Sequence, residues 1–268
     1  MVEPFRQCKH DFSVIAHRGA SAYYPENTLV SFAGAVSMAA DMVELDVQLT
    51  ADGEVVVFHD EKINRCTNGK GAIADYTLAC LKVLDAGSWY DKKFAGVRVP
   101  TLAEVLSLCK NKIAVNIEIK TEAVTDEISG GIEEACLKIV YQIGMRDQVV
   151  FSSFDPRAIV HLKQIDCRMP AAILFDKKYY GSKLPSQIVE SLGADAFNCS
   201  VRELNGKWLT DLQQHGIPVN VYTVNDEKKL MRLLTLGVNG IFTNKPDVLK
   251  RVVADFMVKS ESRMVKRY

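Results

Sequence analysis

The 268-residue chain contains no CxxC pair, and its seven cysteines, at 8, 66, 80, 109, 136, 167 and 199, are odd in number. The opening MVEPFRQCKHDF has no apolar stretch of the kind that marks a secretory leader. A disulfide framework is therefore not expected and the setting reads as reducing and cytoplasmic; several cysteines, such as Cys109 and Cys136, fall on apolar helix faces and read as small buried hydrophobes. An excess of positive charge is also missing, with 33 Lys and Arg against 33 Asp and Glu. That balance argues against a nucleic-acid partner, which calls for a basic stripe. No apolar run is long enough to cross a bilayer, and no GxGxxG follows the first apolar run, which argues against a dinucleotide fold. Histidine is scarce, at five residues.

What the chain does have is a rhythm. Short apolar runs alternate with segments of helical periodicity. Ser13 to Ala16 reads as a first strand, with a helix near Asn27 to Ala40 behind it. Met42 to Thr50 reads as a second strand, and a turn at Ala51-Asp52-Gly53 returns it as Glu54 to Phe58. Residues 60 to 100, rich in Gly, Asp, Lys and Asn, break the rhythm and read as an insertion. Thr101 and Glu104 have the spacing of a capping box. Further strands are expected at Lys112 to Ile119, Gln148 to Ser152, Pro170 to Phe175, Asp195 to Asn198, Pro218 to Val224 and Gly240 to Phe242. The helices between them include one over 125–142 that carries Ile128 and Ile132, one started by Asp155-Pro156, and a last one over 246–258. Eight strands with intervening helices predict an α/β fold, a (β/α)8 TIM barrel with a small insertion after strand two, in one domain spanning 1–268. The tail KSESRMVKRY reads as a solvated end.

In such a barrel, chemistry sits at the C-terminal ends of the strands. His17 and Arg18 close the first strand. On the second, Glu44 and Asp46 alternate with Val43, Leu45 and Val47, so the two acids share one face of an interior strand. Glu118 and Lys120 share a face of the next parallel strand, and His59-Asp60 closes the returning one. Two carboxylates together on a buried strand either raise one another's pKa or gather a cation. With Glu118 they make an all-oxygen set, which suits Mg2+ or Ca2+ better than Zn2+. His17 and His59 both end strands on the active face and are candidates for acid and base. His10, His161 and His215 read as structural. With Arg18 and Lys120 to neutralise a phosphate, the set describes a phosphodiester site.

These motifs together resemble the glycerophosphodiester phosphodiesterase family. The residues that carry the resemblance are His17-Arg18-Gly19, Pro25-Glu26-Asn27-Thr28, Glu44-Leu45-Asp46-Val47, Thr50 to Gly53, His59-Asp60, Pro100-Thr101-Leu102 and Glu118-Ile119-Lys120. Weaker matches follow at Ser153-Phe154, Tyr222 to Asn225 and Gly240 to Thr243. The resemblance implies one divalent cation, Ca2+ or Mg2+, on Glu44, Asp46 and Glu118. It implies general acid and base at His17 and His59, and substrate contacts from Arg18, Lys120 and Tyr222. The implied reaction is hydrolysis of a glycerophosphodiester, a small-molecule substrate, to glycerol 3-phosphate and an alcohol. Tyr222 stands where many members carry Trp, and Asn244 where an acid is more usual. Two alternatives keep the fold: cleavage or cyclisation of lysophospholipids, with Trp89, Tyr90 and Phe94 of the insertion as an apolar rim, and phosphodiester binding without catalysis.

Overall fold

The computed structural model describes residues 12–265, with side chains from 12 to 259; the opening residues with Cys8 and His10 lie outside them, as do the last three residues of the basic tail. Nine strands form one sheet: β1 (Ser13–His17), β2 (Met42–Leu49), β3 (Val55–Val57), β4 (Ala114–Ile119), β5 (Val149–Ser153), β6 (Ala171–Leu174), β7 (Ala196–Ser200), β8 (Val219–Tyr222) and β9 (Gly240–Thr243). Eight of them are parallel and close on themselves, because β1 pairs with both β9 and β2. This is the (β/α)8 barrel that the alternation predicted. The extra strand, β3, returns antiparallel on Val47 to Leu49, past the stretch of β2 that β1 covers.

The helices are α1 (Leu29–Ser37), α2 (Leu78–Lys82), α3 (Leu102–Cys109), α4 (Ile132–Ile143), α5 (Pro156–Ile165), α6 (Lys177–Tyr180), α7 (Pro185–Leu192), α8 (Gly206–Gln214), α9 (Glu227–Leu236) and α10 (Pro246–Val265). Local chemistry starts them as read: Thr101 and Glu104 cap each other at α3, and Asp155 caps α5 with Pro156 in its first turn. One boundary differs by a full two turns. The helix expected from 125 begins only at Ile132, because Gly130 is left-handed at φ +78° and Gly131 is the N-cap. Two adjacent glycines cost a helix about 1 kcal/mol each. Ser129 and Gly130 instead donate to the Glu134 carboxylate, and Ile128 is left 42% exposed rather than packed. Likewise α1 starts two residues late, since Asn27 is left-handed at φ +56° and Thr28 caps the helix.

Strand alternation sorts the core. Val43, Leu45, Val47, Val115, Ile117 and Ile119 face outward and pack under α1, α3 and α4 with Phe32, Leu102 and Val105. The inward residues change character along the barrel axis. Ile15, Met42, Ala114, Val150 and Phe242 form an apolar cluster inside. Towards the C-terminal mouth, the next inward positions of β2 and β4 are Glu44, Asp46, Asn116 and Glu118. The insertion has a small core of its own, including Ile63, Cys66, Ile73 and Leu81. Among the described residues no helix is long and apolar enough to cross a membrane.

Candidate active site

Sheet register gathers the acids. β1 sets His17 opposite Glu44, and β4 sets Glu118 opposite Asp46. The three carboxylates each offer an oxygen within 4.8 Å of the others. Glu44 and Asp46 are each 1% exposed and Glu118 is 9%. Burial, then the charges of Asp46 and Glu118, drives the Glu44 carboxyl well above its usual range. Burial and Asp46 push Glu118 up to about 7. Asp46 is held low in spite of burial, because Lys120 and Arg18 face it. Three acids that repel one another in a desolvated spot would be stabilised by a shared positive charge beyond that of Arg18 and Lys120. An all-oxygen set of this charge suits a hard divalent cation.

Arg18 approaches them from an unusual backbone. Its φ is +55°, a strained conformation for a side-chain-bearing residue. The turn aims its amide N–H at Glu44 Oε2, 2.8 Å away. Its guanidinium donates to Glu26 Oε1 at 2.8 Å and lies 3.4 Å from Asp46 Oδ2. Gly19, at φ +81°, is required by the same turn, since a Cβ there would sit 2.3 Å from Ser31 Oγ on α1. Its glycine is thus dictated by packing against α1. Lys120, just past β4, donates to Glu118 Oε1 at 2.9 Å and lies 3.5 Å from Asp46 Oδ1.

The two imidazoles line one cleft of about 220 Å3, together with Arg18, Glu44, Glu118 and an apolar wall of Phe154, Leu174, Tyr222 and Phe242. His17 is buried beside Arg18, and both conditions lower its pKa to about 4. Its Nδ1 meets Asn244 Oδ1 at 2.8 Å; an amide oxygen only accepts, so Nδ1 carries the proton and Nε2 is left with its lone pair. His59 is held differently. Its Nδ1 is 2.6 Å from Asp60 Oδ1, and Gln48 of β2 pins the segment by donating to the carbonyls of Phe58 and Asp60. Tyr222 stands edge-on to Phe154 and Phe242, with ring centroids 5.9 and 6.2 Å apart.

Every candidate from the sequence therefore falls at this mouth: His17, Arg18, Glu44, His59, Glu118 and Tyr222 on the cleft itself, with Asp46 and Lys120 paired just behind it. Trp89, Tyr90 and Phe94 do not line it. Phe94 packs with Tyr24, Tyr90 packs with Phe94, and Tyr90 Oη donates to the Ala22 carbonyl, so Tyr90 and Phe94 fasten the insertion to the β1–α1 loop. Sequence reasoning gave no role to Asn27, whose amide donates to Asp46 Oδ2 at 2.8 Å, nor to Asn244 or Arg65. Asn27 belonged to a quoted motif, and Asn244 departs from a family pattern; Arg65 left no signal.

A parallel barrel with buried acids, two cations and two imidazoles at its C-terminal mouth defines an α/β-barrel enzyme built for an anionic substrate. The sequence model of the Glycerophosphoryl diester phosphodiesterase family matches residues 17–248. A glycerophosphodiester phosphodiesterase of Bacillus subtilis is 36% identical over 256 residues, covering 89% of this chain and 85% of that one. One of Caldanaerobacter subterraneus is 36% identical over 241 residues, covering 90% and 97%. Among solved structures, an Oleispira antarctica phosphodiesterase in complex with the product sn-glycerol-3-phosphate superposes with a TM-score of 0.84 at 29% identity, covering 90% of this chain and 96% of that one. The glycerophosphodiester phosphodiesterase of Agrobacterium tumefaciens gives 0.77 at 27%, covering 89% and 98%. The chain belongs to the glycerophosphoryl diester phosphodiesterase family, as its motifs implied, and is an enzyme of that activity.

Proposed function

We propose that the enzyme hydrolyses glycerophosphodiesters to glycerol 3-phosphate and an alcohol, using one divalent cation and a histidine pair. The observation that carries this reading is the cluster of three buried acids within 4.8 Å, directly beside a cleft that both imidazoles line. Glu44, Asp46 and Glu118 would hold Ca2+ or Mg2+; the ion would supply positive charge to a phosphate oxygen and keep the acids ionised. Arg18, with Lys120 behind it, adds fixed positive charge where a phosphoryl group gathers negative charge in the transition state. His17, uncharged and with Nε2 free, is suited to take a proton from the attacking oxygen. His59, with a carboxylate on Nδ1, is suited to hand one to the leaving alkoxide. Tyr222 and its aromatic neighbours offer an apolar wall to the carbon skeleton.

The test is a panel of glycerophosphodiesters assayed for released glycerol 3-phosphate, after EDTA treatment and desalting and then with each metal restored. Activity that disappears with EDTA and returns with Ca2+ or Mg2+ is expected. Full activity in the stripped protein rejects the metal role, and a preference for lysophosphatidylcholine moves the substrate class to lysophospholipids.

A further inference from the structure

The insertion contributes one side chain that reaches both ends of the charged site. Arg65 follows β3 by eight residues, in a stretch with no periodicity. Its backbone is held by Ile63, fully buried, and Cys66, 4% exposed, both in the insertion's own core. The guanidinium makes four charge-assisted hydrogen bonds. Nε and Nη2 donate to Asp60 Oδ2 and Oδ1 at 2.7 and 3.0 Å. Nη1 and Nη2 donate to Glu26 Oε2 and Oε1 at 2.9 and 2.7 Å. Each carboxylate has a second partner. Asp60 Oδ1 meets His59 Nδ1 at 2.6 Å, and Glu26 Oε1 accepts from Arg18 at 2.8 Å. One face of Arg65 is covered by Trp89, 5.9 Å from the ring centroid.

We infer that Arg65 is a positioning residue that locks His59 and Arg18 into one unit, through Asp60 and Glu26, so that the folding of the insertion sets the geometry of the active site. Isolated surface ion pairs do little. A doubly bidentate arginine in a five-membered chain is different, because a planar fork fixes the direction as well as the distance of each carboxylate. Without it, Asp60 and Glu26 are free to rotate towards water, and each then leaves a ring or a guanidinium unaimed. A displacement of about 1 Å in a reacting group can cost about a hundredfold in rate. A lysine does not substitute, since its ammonium can reach two carboxylates but has no planar fork to grip either of them bidentately and fix its direction.

The inference rests on the roles proposed for His59 and Arg18, and the variants separate the two. R65A, R65K, R98A and H59A are compared on glycerophosphocholine with Ca2+, together with thermal unfolding and Ca2+ calorimetry. R65A is expected to lower kcat about tenfold to a hundredfold, with a raised KM and unchanged Ca2+ affinity. Millimolar guanidinium should restore part of its kcat. R65K should recover the melting temperature but not kcat, and it serves as the folded variant if R65A is unstable. R98A removes a bond from Arg98 to the Val83 carbonyl within the insertion, and should lower the melting temperature with kcat within about twofold of the parent. An R65A or R65K enzyme within about twofold of the parent in kcat and KM, beside an H59A enzyme that has lost activity, overturns the inference. An H59A enzyme of normal activity overturns the His59 role itself and this inference with it.

Discussion

The barrel mouth is built from two unlike arcs. β1, β2 and β4, with the segment after β3, supply His17, Arg18, Glu44, Asp46, Glu118, Lys120 and His59. β5, β6, β8 and β9 supply Phe154, Leu174, Tyr222 and Phe242. On the first arc, buried charge is tolerated only because each group is gripped by another, as Lys120 grips Glu118 and Asn27 grips Asp46. On the second, rings meet edge to face, and Tyr222 Oη donates over a long 3.4 Å to the Phe175 carbonyl. Under the proposed function the difference separates reacting from holding: the first arc would move protons and stabilise charge, whereas the second would exclude water and fit a shape.

That division predicts a graded series of effects. The largest belong to the imidazoles: His17→Ala and His59→Ala should each lower kcat by at least about a hundredfold, as loss of a general acid or base does. Either variant turning over at the parental rate would place the chemistry elsewhere. Next is Glu44→Gln, expected to leave about a tenth to a hundredth of activity through weaker cation binding; calorimetry should show the Ca2+ affinity falling in step, and an unchanged affinity would remove Glu44 from the ligand set. On the apolar arc, Tyr222→Ala should raise KM about threefold to tenfold while kcat stays within about threefold. A kcat loss as deep as that of His17→Ala would erase the distinction between the arcs.

The smallest effect is a pH dependence confined to the charged arc. Glu118 folds with its pKa raised from an ordinary carboxylate value to about 7. Between those values the folded chain binds more protons than the unfolded chain. The stability that this carboxyl contributes is therefore complete at acid pH and is lost as pH rises through about 7. His17, lowered to about 4 by burial, has the opposite sign: its contribution is present above the ordinary imidazole value and is lost as pH falls through about 4. Cation binding should release protons near neutrality, so the melting-point gain from added Ca2+ should grow as pH rises from about 6 to about 8. A gain that is flat over that range would show that Glu118 is ionised without the metal.

Legibility differed between the arcs for a physical reason. A charge on a buried strand violates the local pattern, so Glu44, Asp46 and Glu118 stood out against Val43, Leu45 and Ile117. A phenylalanine on a buried strand violates nothing. Phe242 and Leu174 look like any core residue; likeness to a family took in Phe154 and the stretch that holds Phe242, but gave a role to Tyr222 alone. The start of α4 was misplaced because Ile128 keeps a helical spacing with Ile132, while Gly130 and Gly131 between them end the helix on backbone grounds.

The amino-acid order alone determined the count of strands, the alternation that turns Glu44 and Asp46 inward, and the placement of His17 and His59 at strand ends, because these depend on near neighbours and on a period of two. Only the closed barrel decided what those groups touch. Asn244 reaches His17 across 227 positions of sequence, and Arg65 joins Glu26 to Asp60 from within an insertion that shows no period. Contacts of that kind follow from β1 meeting both β2 and β9, a closure that no local pattern encodes.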